Sequence, residues 1–496
     1  GWYVGANLSE APEGTAYILN NAFCGLDYVR ARAGCATWAS GMPSGVVATL
    51  MAWTNGVSKN MFAVRGGGIY DVTSTGSIGS ALVTGLSSDY LEWFQYAGTG
   101  GTFLLAFNGI DVCQLWNGTA WATTPAITGL TGNPLVTGWI FQHRVYAVEN
   151  NSLNAWYLPL DSIGGAATVF PLGPIFQLGG SLLCGGTWAI ESTTGIYEAC
   201  VFITTEGEVA VYTGDYPEAT NWTLLGTYKV SRPLGRRCLM KAGGDLGIMT
   251  EDGIVPMSKV ETLDQVALQN QAVTLPIAPA WRDAVIARQG LPGWQIVIWP
   301  LQSMGIVNLP KVDSGDRTQF IANARTGAWS QYVGWDANCF VVFNNLLYFG
   351  SSDGRVMQAE TGGQDDGGNY VVTIFPSYSD FSMPGIRKNV RSIRPMVQAN
   401  FYGGVQVSVR FDFDTTLPAA PSSVSTVTPG SALWDSALWD VAVWPQDIIM
   451  QSWWRGVVGN GYVVAPVVQM TLSQVQTPDV RLTTIDVLYE AGNSIG

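Results

Sequence analysis

One pattern recurs through the first three quarters of this chain. A short apolar strand meets a turn built on Gly, Asn or Asp, and a second apolar strand follows. Met61-Phe62-Ala63-Val64 runs into Arg65-Gly66-Gly67-Gly68 and then Ile69-Tyr70-Asp71-Val72. Phe103 to Phe107 precedes Asn108-Gly109, and Trp139-Ile140-Phe141 precedes Gln142-His143-Arg144. The pattern returns at Glu206-Gly207, Asp252-Gly253, Asn344-Asn345 and Asp353-Gly354. Asn-Gly or Asp-Gly between alternating apolar residues is the strongest short-range hairpin signal, because these residues accept the positive φ angles of tight turns. The turns fall roughly 35–60 residues apart, close to one four-stranded propeller blade. About six such units fit between residues 46 and 365, so an all-β fold centred on a β-propeller of about six blades is expected.

Two departures mark the pattern's limits. Residues 259–290 place Val260, Leu263, Val266 and Ala267 at helical spacing, then Trp281, Ala284 and Val285, with Pro276 and Pro279 between the runs. Two short helices inserted between blades are expected, with a long loop as the alternative. Beyond residue 365, Gly362-Gly363-Gln364-Asp365-Asp366-Gly367-Gly368 reads as a polar linker. Strands are expected at 370–375, 392–401, 404–413, 450–458, 461–473 and 480–490, forming a β-sandwich-like domain over 366–496. Residues 1–45 lie outside the hairpin pattern and are expected to add strands to it. Residues 415–430, rich in Pro, Ser and Thr, read as a loop or extended arm.

Composition narrows the function. Of 496 residues only 12% are charged, about half the usual share. So few charges cannot coat a monomer generously, which points to a neutral polar surface or to burial against other subunits. The net charge is −13. A protein that grips phosphates carries a basic surface, and this balance is the opposite. It suits either a surface that DNA slides past or simple solubility. No apolar run is long enough to span a bilayer. Residues 1–20 lack the basic start and apolar core of a signal peptide. The chain opens on Gly1, so a leading segment is expected to precede it.

Catalytic and metal-binding constellations are hard to assemble. His143 is the single histidine and sits at an apparent turn, so a Ser-His-Asp triad would rest on it alone, and zinc sites with several histidines are excluded. The seven cysteines lack C-x-x-C spacing and scatter over apolar strands, which predicts reduced, buried thiols. No phosphate loop occurs, and no cofactor or metal is expected. Asp365-Asp366 and Asp412/Asp414 are acidic pairs without a calcium-loop frame, read as a solvated turn and a strand edge. Ser351-Ser352-Asp353-Gly354 only partly matches the Asp-box turn of sialidases. A glycosidase needs just two facing carboxylates, so a carbohydrate-binding or glycan-cleaving propeller used in host recognition is the alternative function. Arg236-Arg237 and the cluster Arg387, Arg391 and Arg394 read as interface or solvent-facing basic spots. Trp434, Trp439 and Trp444 form an echoing aromatic stretch that either marks an interface or packs into the subunit's own core.

Several runs resemble a family of short-tailed bacteriophages, the tail nozzle or packaged-DNA stabilisation proteins. They are Ala11 to Ala16, Asn20 to Phe23, Val29-Arg30-Ala31-Arg32-Ala33-Gly34, Asn221 to Gly226, Arg232 to Arg237, Gly243 to Gly253, Thr326 to Trp329 and Leu347 to Val356. The resemblance covers about residues 10–365 and thins beyond. It implies a non-enzymatic virion protein, assembled in the host bacterial cytoplasm. It also implies a homohexameric tail tube below a head-to-tail adaptor, with tail fibre or tail needle proteins as further candidate neighbours. Such a tube retains packaged DNA and conducts it during ejection without sequence-specific binding. On that reading the 1–45 and 366–496 segments build the lumen wall.

Overall fold

The structure, a computed structural model, describes residues 1–5, 7–98, 100–192, 195–313, 315, 317–400, 404–422 and 449–492. Seven small antiparallel sheets follow one another along the chain. Blade 1 holds Thr49–Thr54, Lys59–Arg65 and Gly68–Asp71. Blade 2 holds Glu92–Gly98, Gly101–Phe107, Gln114–Trp116 and Trp121–Ala122. Blade 3 holds Leu135–Phe141, Arg144–Glu149, Asn154–Tyr157 and Thr168–Pro171. Blade 4 holds Leu182–Ser192, Gly195–Thr204, Glu208–Thr213 and Thr223–Lys229. Blade 5 has three strands, Leu239–Ala242, Asp245–Thr250 and Gly253–Pro256. Blade 6 holds Gln295–Trp299, Met304–Asn308, Thr318–Asn323 and Trp329–Val333. Blade 7 holds Cys339–Phe343, Leu346–Gly350 and Val356–Ala359, with Cys35–Ser40 as its fourth strand.

Apolar layers between consecutive sheets close these seven into a ring. Met51, Phe62 and Ile69 of blade 1 meet Leu104 and Trp116 of blade 2. Tyr96 and Phe107 meet Leu135 and Trp156, and Trp139 and Tyr146 meet Phe202 and Tyr212. One large core joins blades 4, 5 and 6 through Trp188, Val201, Ile248, Ile254 and Ile296. Ile306 and Ile321 of blade 6 face Phe340 and Phe349 of blade 7, and Val341 and Tyr348 return to Leu50 and Ala63 of blade 1. The central strands of the blades are buried on both faces, which is why they read as near-continuous apolar runs. The first strands of the blades gather at the axis. The outermost strand of blade 4 is largely exposed.

Among the described residues the blades number seven rather than about six. The extra unit is blade 6, whose first turn is a 3-10 turn at Pro300–Gln302 instead of an Asn-Gly or Asp-Gly pair. The turn at Asn108-Gly109 is also looser than expected. It opens a loop between Phe107 and Gln114 in which the Asn108 side chain accepts the Ile110 and Asp111 amides. Turns at Gln142-His143 and Asn344-Asn345 are two-residue hairpins with both φ angles positive. The echoing Asn117-Gly118 and Thr326-Gly327 turns each lead into a tryptophan, Trp121 or Trp329, that opens the fourth strand of its blade.

Residues 1–45 do not lie wholly outside the blades. Cys35–Ser40 pairs antiparallel with Val356–Ala359, so the two distant segments close blade 7 together. A pairing between segments so far apart in the chain leaves no hairpin signal in the sequence. The remaining N-terminal strands go elsewhere. Ala16–Asn20 lies between blade 6 and Tyr370–Pro376, extending one sheet through Val464–Leu472 to Val405–Phe411. Ala22–Cys24 and Val29–Ala31 join Val480–Ala491, which pairs with Lys388–Ala399 and onward to Ile449–Ser452 and Arg455–Gly461. These two sheets enclose Val390, Ile393, Val409 and Val464 as a sandwich core. The described part of the 415–430 arm carries no strand, and Pro421 accepts a hydrogen bond from the Thr471 hydroxyl at 2.5 Å.

The insertion after blade 5 is helical but more divided than expected. Met257–Val260 and Gln265–Gln269 are separate short helices, because Asp264 caps the second by accepting from the Ala267 amide. Ala278–Arg288 follows, and its buried Trp281 donates to the Thr250 carbonyl of blade 5 at 3.1 Å. These helices cover blade 5, which like blade 1 has three described strands.

Candidate functional site

Two arginine-centred assemblies organise the molecule, and each starts from a short sequence run. Val29-Arg30-Ala31-Arg32-Ala33-Gly34 passes between the ring and the sandwich. Arg32 is completely buried. Its guanidinium grips Asp365 with two hydrogen bonds of 2.8 and 2.5 Å. It also donates to Asn21 Oδ1 and to the carbonyls of Ala33 and Val333. The Tyr370 ring stacks on it at 4.0 Å, with Trp335 at 5.2 Å. Burial alone would pull the Arg32 pKa down, but the hydrogen bonds and charge of Asp365 outweigh it and hold the pKa above the ordinary value. Arg30 pairs with Glu360 at 3.1 Å, and Glu360 also accepts the Ala33 amide. Gly34 is required by space, since a Cβ there would sit 1.9 Å from the Gln364 carbonyl oxygen. One run thus binds blade 6, the 360–368 segment and the sandwich to one another.

This corrects the reading of Asp365 as part of a solvated turn. Asp365 is consumed by Arg32, and Asp366 accepts from Arg355 at 2.6 Å and from Thr37 at 3.0 Å. The other acidic pair is likewise committed. Asp412 accepts the Tyr462 amide at 2.7 Å, and Asp414 accepts from the Thr416 amide and hydroxyl. Among the described residues no group of three potential metal ligands gathers.

The second assembly lies at the ring's axis, on the turn before blade 5. Arg237 reaches across the ring to blades 1 and 2. It pairs with Glu92 at 2.9 Å and donates to the Leu91 and Ala48 carbonyls and to Thr49 Oγ1. Arg236 beside it reaches Asn150 of blade 3 at 3.5 Å. A cavity of about 290 Å³ opens here, lined in part by Tyr90, Glu92, Leu183, Arg236, Arg237 and Trp294. The Arg236-Arg237 pair is therefore an internal axial feature rather than a solvent-facing spot. The sequence carried the signal as two adjacent arginines in a chain poor in charge, without showing what lies opposite them.

The other predicted residues are dispersed. Arg391 and Arg394 lie on Lys388–Ala399 of the sandwich and pair across to the neighbouring strand, Arg391 with Glu490 at 2.8 Å and Arg394 with Asp486 at 2.6 Å. Arg394 also stacks on Trp454 at 4.9 Å. Arg387 precedes that strand, and its carbonyl accepts the Gly492 amide. Trp434, Trp439 and Trp444 lie outside the described residues. The exposed His143 occupies a turn with φ of +56° and stands 3.9 Å from Asp161. Six cysteines are buried, and the Cys184 and Cys238 sulfurs approach to 3.6 Å between blades 4 and 5. Burial pushes the Cys35 thiol up to about 12 and keeps it protonated. The partial Asp-box residues close a blade-7 turn, with Ser351 bonded to Asp353 and accepting the Arg355 amide.

No family model matches the chain, and no curated protein does. Among solved structures, YCF48 bound to D1 peptide is similar at 10% identity with a TM-score of 0.39, over 71% of this chain and 99% of that one. YCF48 from Cyanidioschyzon merolae is similar at 10% identity with a TM-score of 0.37, over 66% and 99%. BBS1N in complex with ARL6DN is similar at 14% identity with a TM-score of 0.32, over 47% and 75%.

Proposed function

We propose that this chain is a structural protein of a short-tailed phage tail, a nozzle subunit that assembles as a homohexameric tube under a head-to-tail adaptor. The tube retains packaged DNA and lets it pass during ejection. The observation that carries the reading is the state of the positive charge. The net charge is −13, and at least ten arginines are paired with carboxylates of the same chain. A phosphate backbone needs free cations to grip, and a wall whose arginines are already matched lets DNA slide. The family resemblance supports the same reading. Its Arg30–Gly34 and Arg232–Arg237 runs serve architecture here, and a tube wall needs stiff subunits more than a reactive site. Low overall charge fits subunits that cover each other's faces in a closed ring.

Particle mass and negative-stain imaging of the purified protein, with and without the preceding tail ring, test the proposal. A six-fold ring with an open centre, alone or on that ring, is the expected result. A monomer under both conditions overturns it and redirects attention to glycan binding and hydrolysis.

A further inference from the structure

We propose that the axial cavity beside Arg236 binds a small organic carboxylate, a property independent of any role in a tail. The cavity's volume of about 290 Å³ is near the lower end of small-molecule sites, which run from ~300 to ~1,000 Å³. Its two arginines are in opposite states. Arg237 is engaged by Glu92, two carbonyls and a hydroxyl. Arg236 makes one hydrogen bond among the described residues, a long one of 3.5 Å to Asn150. A guanidinium carries five N–H donors and no acceptor, so most of the Arg236 fork remains available.

The charge around the cavity points the same way. Among the described residues Glu92 is the one carboxylate in its lining, and Arg237 already engages it. Burial pulls the Arg236 pKa below its ordinary value, with Glu92 and Cys184 acting in the opposite direction. An incoming carboxylate supplies the missing counter-charge and a two-oxygen acceptor matched to the fork. Tyr90, Leu183, Leu234 and Trp294 supply apolar wall for the body that carries it. Inorganic phosphate offers the charge but nothing to cover those walls. The net negative charge of the whole protein repels anions at a distance, so recognition rests on this local pairing.

Titration of the full chain with benzoate, followed by calorimetry or ligand-observed NMR, tests this. Benzamide and inorganic phosphate serve as controls for charge and for body. Saturable benzoate binding is expected, at least about tenfold tighter than benzamide or phosphate and at least about tenfold weakened by Arg236→Gln. Arg236→Lys keeps the charge without the fork, is the milder change to the fold, and is expected to fall between. Absence of saturable benzoate binding overturns the proposal. So does equal binding by the wild type and whichever variant keeps the wild-type circular dichroism. Equal affinity for benzamide or phosphate removes the carboxylate assignment.

Discussion

In blade 3, Leu135–Phe141 meets Arg144–Glu149 across two residues, whereas Arg32 meets Asp365 across 333 positions. Apart from the fourth strand of blade 7, the ring is built from the first kind of contact, and its joint to the sandwich from the second. Each hairpin closes a short loop, so the entropy lost in forming it is small and is offset at once by cross-strand packing. The joint brings Val29–Gly34 against a segment from the far end of the propeller, so closing it fixes a far longer loop. It is held by a fully desolvated arginine in an ion pair, a stacked tyrosine and a glycine with no room for a methyl group. Apolar layers tolerate small imperfections by repacking. A buried ion pair does not, because removing one partner strands the other.

That contrast sets the largest expected effect. Asp365→Ala leaves the Arg32 guanidinium buried without its counter-charge. Breaking a buried pair in this way costs about 3–5 kcal/mol. The loss is expected to appear as a sandwich transition that separates from that of the ring in denaturant unfolding. Arg32→Met with Asp365→Leu removes both charges and is expected to recover much of the stability. A single unshifted transition in Asp365→Ala would show that the joint contributes little and that apolar packing alone couples the two regions.

Gly34→Ala probes the same joint with a smaller perturbation. The added methyl meets backbone, the Gln364 carbonyl, which cannot rotate away as a side chain can. Overpacking of this kind costs about 1–3 kcal/mol. A comparable glycine at a ring turn, Gly243, has open space where a Cβ would project and φ of +64°, so Gly243→Ala pays only for backbone conformation. Thermal unfolding of the two variants side by side is expected to rank Gly34→Ala as the more damaging. The reverse order would show that the 360–368 segment yields readily.

The same contrast explains what could be read without coordinates. Hairpins announce themselves, since Gly66-Gly67 and Asn344-Asn345 carry their positive φ angles in residue types that accept them. Blade 6 escaped because Pro300–Gln302 turns through a 3-10 element and a left-handed Ser303. The fourth strand of blade 7 escaped because its partner lies at the other end of the propeller. Asp365 was visible as an acid in a glycine-rich stretch, and Arg32 as part of an alternating Arg-Ala run, but nothing in either neighbourhood says that they meet. For the axial pair the residue types were legible and the geometry was not. Arg237 is defined by Thr49 and Glu92, on two blades that the local sequence around it never mentions.

A local electrostatic feature of the ring supplies the smallest effect. Asp111 of the blade-2 loop accepts the Ser87 amide at 2.7 Å, the Ser87 hydroxyl at 2.8 Å and the Asn108 side-chain amide at 2.6 Å. Burial by itself would raise its pKa, but these donors outweigh burial and hold it below the ordinary carboxylate value. A carboxylate with a depressed folded pKa binds fewer protons when folded than when unfolded. Its contribution is therefore complete above the unfolded pKa and is lost as pH falls through the folded one. Asp111→Asn is expected to lower stability at neutral pH and to flatten the decline on acidification below about pH 4. Unfolding midpoints of the two proteins should converge toward acid. Because all three donors come from one loop and its neighbour, hydrogen exchange should report the loss at residues 87 and 108–113 while the Arg32 joint keeps its protection. Loss of protection at both places would show that the ring's loops and the distant joint open as one unit.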